Sequence, residues 1–262
     1  MVIIMNIGIS TASYYPLETE LALEEVGRSG CKTTEVFFNA ETELKDSFID
    51  ILLDIKNEYG INIVSVHPTM SLAESFMIFS AYERRFNESL EKYKRYSEVA
   101  AELGAKYIIM HGGKPNGILS DEEYCERYMR IKEETLRNGV TVLQENVVHF
   151  RAGQIEFLRS MKDILGKDAE FCIDIKQSLR CGYEPISLVK EFFGNTRHYH
   201  ISDHSTASDC MLPGSGCFDF KTFFNFLKEN KYKGSSIIEV YRNSYKNFGD
   251  IKKSYTNISD FL

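Results

Sequence analysis

The residues of this chain that can do chemistry recur at a regular interval. His67 (in SVHP), His111 (in IIMHGG), Glu145 (in VLQEN), Asp174 (in FCIDIKQ), His200 (in HYHISD) and Glu239 (in IIEVY) are separated by 44, 34, 29, 26 and 39 residues. Each lies at or near the end of a short apolar, β-branched run. Acids and imidazoles are costly inside such runs unless they are paired or hold a metal. Three carboxylates brought to one place repel and raise one another's pKa. A divalent cation removes that conflict, and oxygen-plus-imidazole donors suit Mn, Mg, Co or Zn. One divalent metal ion is therefore expected. Taken singly, each residue has a plainer reading. A strand-end carboxylate often caps a helix, and a lone strand histidine usually packs in a core or rim. His149 and His204 carry no more than that. His198 lies two residues before His200, on the same face and one layer deeper, and also reads as a packed core histidine.

The elements that must position these residues alternate. Strand patterns cover Ile3–Ile9, Thr33–Phe38, Ile61–His67, Lys106–His111, Val140–Glu145, Glu170–Asp174, His198–Ser202 and Ser236–Val240. Helical spacing fills the gaps over Leu17–Arg28, Glu43–Tyr59, Tyr82–Leu103, Asp121–Arg137, Gly153–Leu165, Pro185–Phe193 and Phe220–Glu229. The residues after strand eight leave room only for a short or irregular last helix. Alternating strands and helices imply right-handed βαβ units and a parallel sheet. Eight units of roughly 33 residues match a closed barrel. An open doubly wound sheet fits less well, because the turn from Ile9 to Leu17 has no glycine-rich phosphate loop. The expected fold is therefore α/β, a (β/α)8 TIM barrel forming one domain over residues 1–262. Barrel enzymes put their site at the C-terminal ends of the strands, where all six residues fall. On the period of two, Glu145 shares a face with Leu143 and Thr141, Asp174 with Cys172, and Glu239 with Ile237.

The bulk numbers limit the partners. With 38 acidic and 31 basic residues the net charge is -7, which disfavours nucleic acid. The six cysteines are scattered with no CxxC pair and read as reduced thiols. The opening MVIIMNIGIS is apolar but short and lacks a charged n-region. No run approaches the ~18 apolar residues of a membrane span. A soluble, cytoplasmic protein with no membrane partner is expected. The apolar segment Met70–Phe79 reads as a lid, as a subunit contact in a homo-oligomer, or as packing against the barrel.

The motifs SVHP, MHGG, LQEN, CIDIKQ, HYHISD, PGSGCFDF (213–220) and IIEVY run nearly the whole chain in one order. Together they resemble the xylose-isomerase-like TIM-barrel superfamily, which spans sugar epimerases, hydroxypyruvate isomerases, inosose dehydratases and type IV apurinic endonucleases. The resemblance implies a metal site of Glu145, Asp174, His200 and Glu239, with Glu145 and Glu239 also forming the acid/base pair of the epimerases. It implies that His67 and His111 line the substrate pocket, as in the isomerases; in the endonucleases the matching residues hold an additional zinc. The chain departs from the family at two places. Asp174-Ile-Lys-Gln177 replaces Asp-x-x-His, so Gln177 stands where a substrate-binding histidine is usual. Ser208-Asp209-Cys210-Met211 offers no histidine where the endonucleases have Asp-x-His. A trinuclear zinc site is not expected.

Lys176 should face the same way as Asp174 if the strand persists. It then reads as a solvated rim lysine, a phosphate or carboxylate binder, or a Schiff-base amine. Arg180, Lys114 and Arg242 are further rim cations for a phosphate. The Gly214-Ser215-Gly216 loop offers backbone N–H groups to the same end. The leading expectation is a metal-dependent isomerase or epimerase of a small sugar or sugar phosphate. Glu145 and Glu239 would move the proton through a metal-bound enediolate, with His67, His111, Lys176, Gln177 and Arg242 contacting substrate. Three alternatives stand beside it: a dehydratase on a related polyol ketone, an endonuclease-type phosphodiester hydrolase, and a non-catalytic sugar-binding barrel that keeps the metal.

Overall fold

The computed structural model describes residues 5–69 and 72–261. Eight parallel strands close into a barrel in sequence order: β1 Asn6–Ser10, β2 Thr33–Phe38, β3 Asn62–Pro68, β4 Tyr107–Met110, β5 Thr141–Glu145, β6 Phe171–Asp174, β7 Thr196–Ile201 and β8 Ser235–Ile238. The last strand pairs with the first from Asn6↔Ser235 to Ile9↔Ile238, which closes the ring. Ten α-helices lie among the described residues: α1 Thr19–Arg28, α2 Asp46–Tyr59, α3 Leu72–Ile78, α4 Glu83–Leu103, α5 Asp121–Leu136, α6 Ile155–Leu165, α7 Ile175–Arg180, α8 Pro185–Phe192, α9 Phe220–Glu229 and α10 Phe248–Ser259. No helix among the described residues is long and apolar enough to cross a membrane.

The barrel follows from patterning. Outward residues of the strands meet the apolar stripes of the helices in one large core that includes Ile9, Val36, Val66, Ile108, Val142, Ile173, Tyr199 and Ile238. Inward residues form a smaller cluster of Ile109, Leu143 and Cys172, with Tyr107 against it. This is the face that carries Glu145 and Asp174 one step higher, as the period of two requires.

Two local expectations change, and a third, left open among a lid, a subunit contact and packing, gains contacts that agree with packing. The tail after β8 forms α10, a full helix rather than a short or irregular one. Asp250 accepts hydrogen bonds from the backbone N–H groups of Lys246 and Asn247, which closes the helix start. Ile251 and Ile258 are buried on one face of it. Strand six stops at Asp174 and gives way to α7, because the Asp174 side chain accepts from the N–H of Gln177 as an N-cap. Within the Met70–Phe79 segment, Met70 and Ser71 lie outside the described residues. The segment that follows forms α3, from which Ser75 Oγ donates to Gly112 O at 2.7 Å, and just after it Phe79 stacks on Tyr124.

Two register shifts aim side chains inward. One falls between Thr34 and Glu35 and sets Glu35 beside Ser65. The other falls between Phe171 and Cys172, and it pairs Cys172 with His198 and Asp174 with His200. Such irregularities re-aim a strand next to a site. Gly8 in β1 is required by space. A Cβ there would stand 2.5 Å from both Ile237 Cδ1 and the Thr33 carbonyl oxygen. The carbonyl belongs to the neighbouring strand and cannot yield without moving the barrel. Gly8→Ala is predicted to destabilise the protein by ~1–3 kcal/mol, the usual cost of overpacking. Urea unfolding measures it, and a midpoint equal to wild type would contradict the barrel register at this position.

Candidate functional site

The six residues singled out in the sequence come together at the C-terminal mouth. His67, Glu145, Asp174 and His200 are on or at the ends of their strands. His111 follows β4 by one residue, and Glu239 follows β8 by one, with its N–H still bonded to Ile201 O at 3.2 Å. One donor atom from each of Glu145, Asp174, His200 and Glu239 lies within 4.8 Å of the others. His67, His111 and Glu145 form a second such group. Glu145 belongs to both: Oε1 is 3.0 Å from His200 Nδ1, while Oε2 is 3.2 Å from His111 Nε2 and 3.5 Å from His67 Nε2. A mouth cavity of about 610 Å³ opens above, lined by His67, His111, Glu145, Lys176, Gln177 and Glu239, with Tyr15, Phe37, Tyr241 and Arg242 on its walls.

Backbone clamps hold these side chains in place. Asn146, next to Glu145, accepts from Asp174 N at 2.7 Å and donates to Asp174 O at 3.1 Å and to Ser178 Oγ at 3.1 Å. Gln144 donates to the carbonyl oxygens of Met110 and His111 and accepts from Tyr124 Oη. Gly112 has φ +91, and a Cβ there would overlap Tyr124 Oη and Gln144 Nε2. The HGG and QEN motifs thus interlock. Asp174 spends Oδ1 on capping α7 and turns Oδ2 toward the cluster.

The electrostatics are those of crowded acids. Burial pushes the Asp174 carboxyl up, to about 6, and the neighbouring Glu145 and Glu239 add to this against the pull of Lys176. Burial also works against ionisation of Glu145, but His200, His111 and His67 outweigh it and hold this carboxyl well below the usual range. For Glu239, Lys176 and His200 overcome burial in the same direction. Burial opposes charge on His200 as well, yet the surrounding acidic groups raise it well above the usual imidazole value.

The residues fit a divalent cation on two observations. The donor set is three carboxylates and one imidazole nitrogen, the chemistry such ions take. In addition, Glu145 Oε2 and Asp174 Oδ2 are buried yet accept no well-formed hydrogen bond. A buried anion oxygen left in that state is costly.

The cations expected at the rim are placed differently. Lys176 does face the site, but from the first turn of α7, and it is buried. Its ammonium lies 3.2 Å from Asp174 Oδ2 and 3.0 Å from Glu239 Oε2. It is neither a solvated rim lysine nor an unmatched charge. Arg180 is engaged by Asp209, at 2.6 Å and 3.2 Å, and by Tyr241 Oη. Lys114 sits over Phe76 and does not line the mouth cavity. The Gly214–Gly216 loop has its N–H groups filled from within: Gly214, Gly216 and Phe218 all donate to the buried Asp203 carboxylate. Arg242 does line the cavity, and it donates to Tyr245 O. Gln177 lines it too, while its Oε1 accepts from Val148 N at 3.3 Å.

One buried acid escaped the sequence reading. Glu35, on β2, is fully buried and bonds His198 and His200. Its signal was an acid inside the apolar, β-branched run TTEVFF.

Comparison with known proteins places this geometry. The xylose isomerase-like TIM barrel model matches residues 23–259. The chain belongs to this family. Inosose dehydratase of Clostridium beijerinckii is 24% identical over 84% of this chain and 81% of its own length. Among solved structures, a D-tagatose 3-epimerase-like protein superposes with a TM-score of 0.79 at 21% identity, over 98% of this chain and 97% of the other. The IolI protein, solved with a bound zinc atom, gives 0.76 at 17% identity over 98% of each chain. For a xylose isomerase-like barrel, the Asn146 clamp is the part of the site most exposed to test. Asn146→Ala would remove the acceptor of the buried Asp174 N–H, while Asp174 O keeps its 2.7 Å hydrogen bond from Ser178 Oγ, at ~1–3 kcal/mol for the orphaned N–H. Chemical denaturation should show that loss, and a stability unchanged from wild type would show that the clamp does not hold Asp174.

Proposed function

We propose that this protein is a divalent-metal-dependent isomerase or epimerase of a small neutral sugar. The observation that carries the reading is the donor cluster that meets the cavity through Glu145 and Glu239. Four donors lie within 4.8 Å of one another there, and two of the buried carboxylate oxygens lack a hydrogen bond. Glu145, Asp174, His200 and Glu239 would hold the ion. When bound, a divalent ion supplies Lewis-acid polarisation of a carbonyl and holds two neighbouring oxygens.

The chain's own residues supply the proton transfer. Glu145 and Glu239 both line the cavity and are both held ionised, so either can accept a proton from carbon. Glu239 is the more open of the two, with 13% of its side chain exposed against 2% for Glu145. It is assigned as the base, and Glu145 as its partner on the other side of the reacting carbon. His67 donates from Nδ1 to Pro68 O, which leaves Nε2 facing Glu145 and the cavity. Lys176 has three N–H donors and gives one to Glu239 Oε2 at 3.0 Å, while its charge faces Asp174 Oδ2 at 3.2 Å, so a donor is available to a substrate oxygen. Phe37, Tyr15 and Tyr241 offer apolar walls to the faces of a sugar.

The substrate is assigned as neutral because the groups that could neutralise a phosphate are already engaged, as described for Lys176, Arg180 and the Gly214–Gly216 loop. Arg242 alone is a poor phosphate site. A dehydratase is the second reading, favoured by the similarity to inosose dehydratase and by the same proton abstraction. The endonuclease reading draws no support from Asp209, whose carboxylate is paired with Arg180.

Incubation with neutral ketoses in deuterated water tests the proposal. One ketose should gain deuterium at the carbon beside its carbonyl, in a reaction abolished by chelator, while phosphorylated analogues should not. Loss of water in place of exchange would favour the dehydratase. Glu239→Gln should slow the exchange by ~10²–10⁴-fold, the usual contribution of a positioned base. Exchange by this variant at the wild-type rate would remove Glu239 from the mechanism.

A further inference from the structure

We infer that Glu35 is a positioning residue that fixes the tautomer and ring orientation of His200, so that Nδ1 is the atom offered to the ion. The inference rests on the metal reading above and concerns a residue outside the donor set. His200 Nε2 lies 3.1 Å from Glu35 Oε1 and 3.2 Å from Oε2. On the opposite edge, Nδ1 lies 3.0 Å from Glu145 Oε1, 3.6 Å from Glu239 Oε2 and 4.0 Å from Asp174 Oδ2. The two ring nitrogens therefore face different tasks.

An imidazole that holds a cation is neutral: it carries one N–H, and the nitrogen without it supplies the lone pair. Carboxylates stand at both edges, so the ring alone has no preference. Glu35 supplies one. Its carboxylate cannot turn away or join the ion, because it is fully occupied. Ser65 Oγ donates to Oε2 at 2.8 Å, His198 Nε2 stands 3.1 Å from Oε2, and Ser10 Oγ donates to Oε1 at 3.4 Å. Glu35, His198 and Ser65 are buried with no exposed surface. The Glu35–His198–His200 group is thus a support beneath the site rather than a second ion site. With Nε2–H committed to Glu35, Nδ1 is left to the ion, and the negative charge behind the ring increases its basicity as a ligand. The β2 register shift sets Glu35 beside Ser65, and the β6 shift sets His198 beside Cys172 and His200 beside Asp174.

The test is manganese and zinc affinity of the full-length protein, measured by calorimetry on folded material, for wild type, Glu35→Gln and Ser65→Ala. Glu35→Gln should bind one ion ~10–100-fold more weakly, the usual effect of losing such a support, and Ser65→Ala should fall between it and wild type. A purely structural role would lower the unfolding temperature and leave the affinity of the folded protein alone. A folded Glu35→Gln protein that binds within twofold of wild type overturns the inference and leaves the metal reading intact. Wild type that binds neither ion overturns the metal reading, and this inference with it. Should Glu35→Gln not fold, the side-chain ¹⁵N spectrum of wild type decides. On adding zinc, the His200 Nδ1 signal should shift while Nε2 stays protonated, and a shift at Nε2 instead would overturn the assignment.

Discussion

The structure depends on one constraint: Glu145, Asp174 and Glu239 are gathered at one barrel mouth, with Glu35 buried beneath them. Two like charges about 4 Å apart oppose each other by ~4 kcal/mol at an effective dielectric of ~20. That energy must be offset or the barrel cannot close over them. Lys176 offsets part, from between Asp174 and Glu239. His200 offsets more, from between Glu35 and Glu145. The elevation of Asp174 to about 6 marks what remains unbalanced. A divalent ion held there would balance the remainder and meet the oxygens that accept no well-formed hydrogen bond.

The same constraint explains why the surroundings are stiff. Charges in a low dielectric hold their energy only at fixed distances. The strands that carry the donors are accordingly tied to neighbouring elements by adjacent polar side chains. Asn146 ties β5 to β6, Gln144 ties β5 to the end of β4, and the Glu35 network joins β1, β2, β3 and β7. The acid Asp203 serves the loop after β7 in a similar way, as an internal anion in a nest of backbone N–H groups.

Most of the barrel was legible because its signals are local and repeated. Six successive strand ends 26–44 residues apart, each with an acid or histidine, mark the rim, and the two apolar strand patterns before them complete the eight units. The end of the chain was misread although its signal was present. Phe248, Ile251, Tyr255 and Ile258 recur at helical spacing behind a capping Asp250, but the stretch between them is polar. The switch from β6 into α7 was likewise written in Asp174-Ile-Lys-Gln177, where an acid precedes glutamine by three residues. Lys176 was expected to follow the strand for that reason; it reaches the site through the helix instead. What sequence does not carry is pairing across the barrel. Nothing local in TTEVFF says that Glu35 meets histidines 163 and 165 residues away, and nothing local in Arg180 says that Asp209 takes its charge. Strand register and loop course decide both.

The central claim is that one divalent ion sits among Glu145, Asp174, His200 and Glu239. It is tested most directly by a crystal structure of the manganese- or zinc-loaded protein with anomalous diffraction. The account predicts a single strong anomalous peak at ~2.0–2.3 Å from a donor atom of each of the four side chains, with His200 ligating through Nδ1. A loaded crystal with no peak there, or with its ion held between His67 and His111 while Asp174 and Glu239 stay on Lys176, would contradict it.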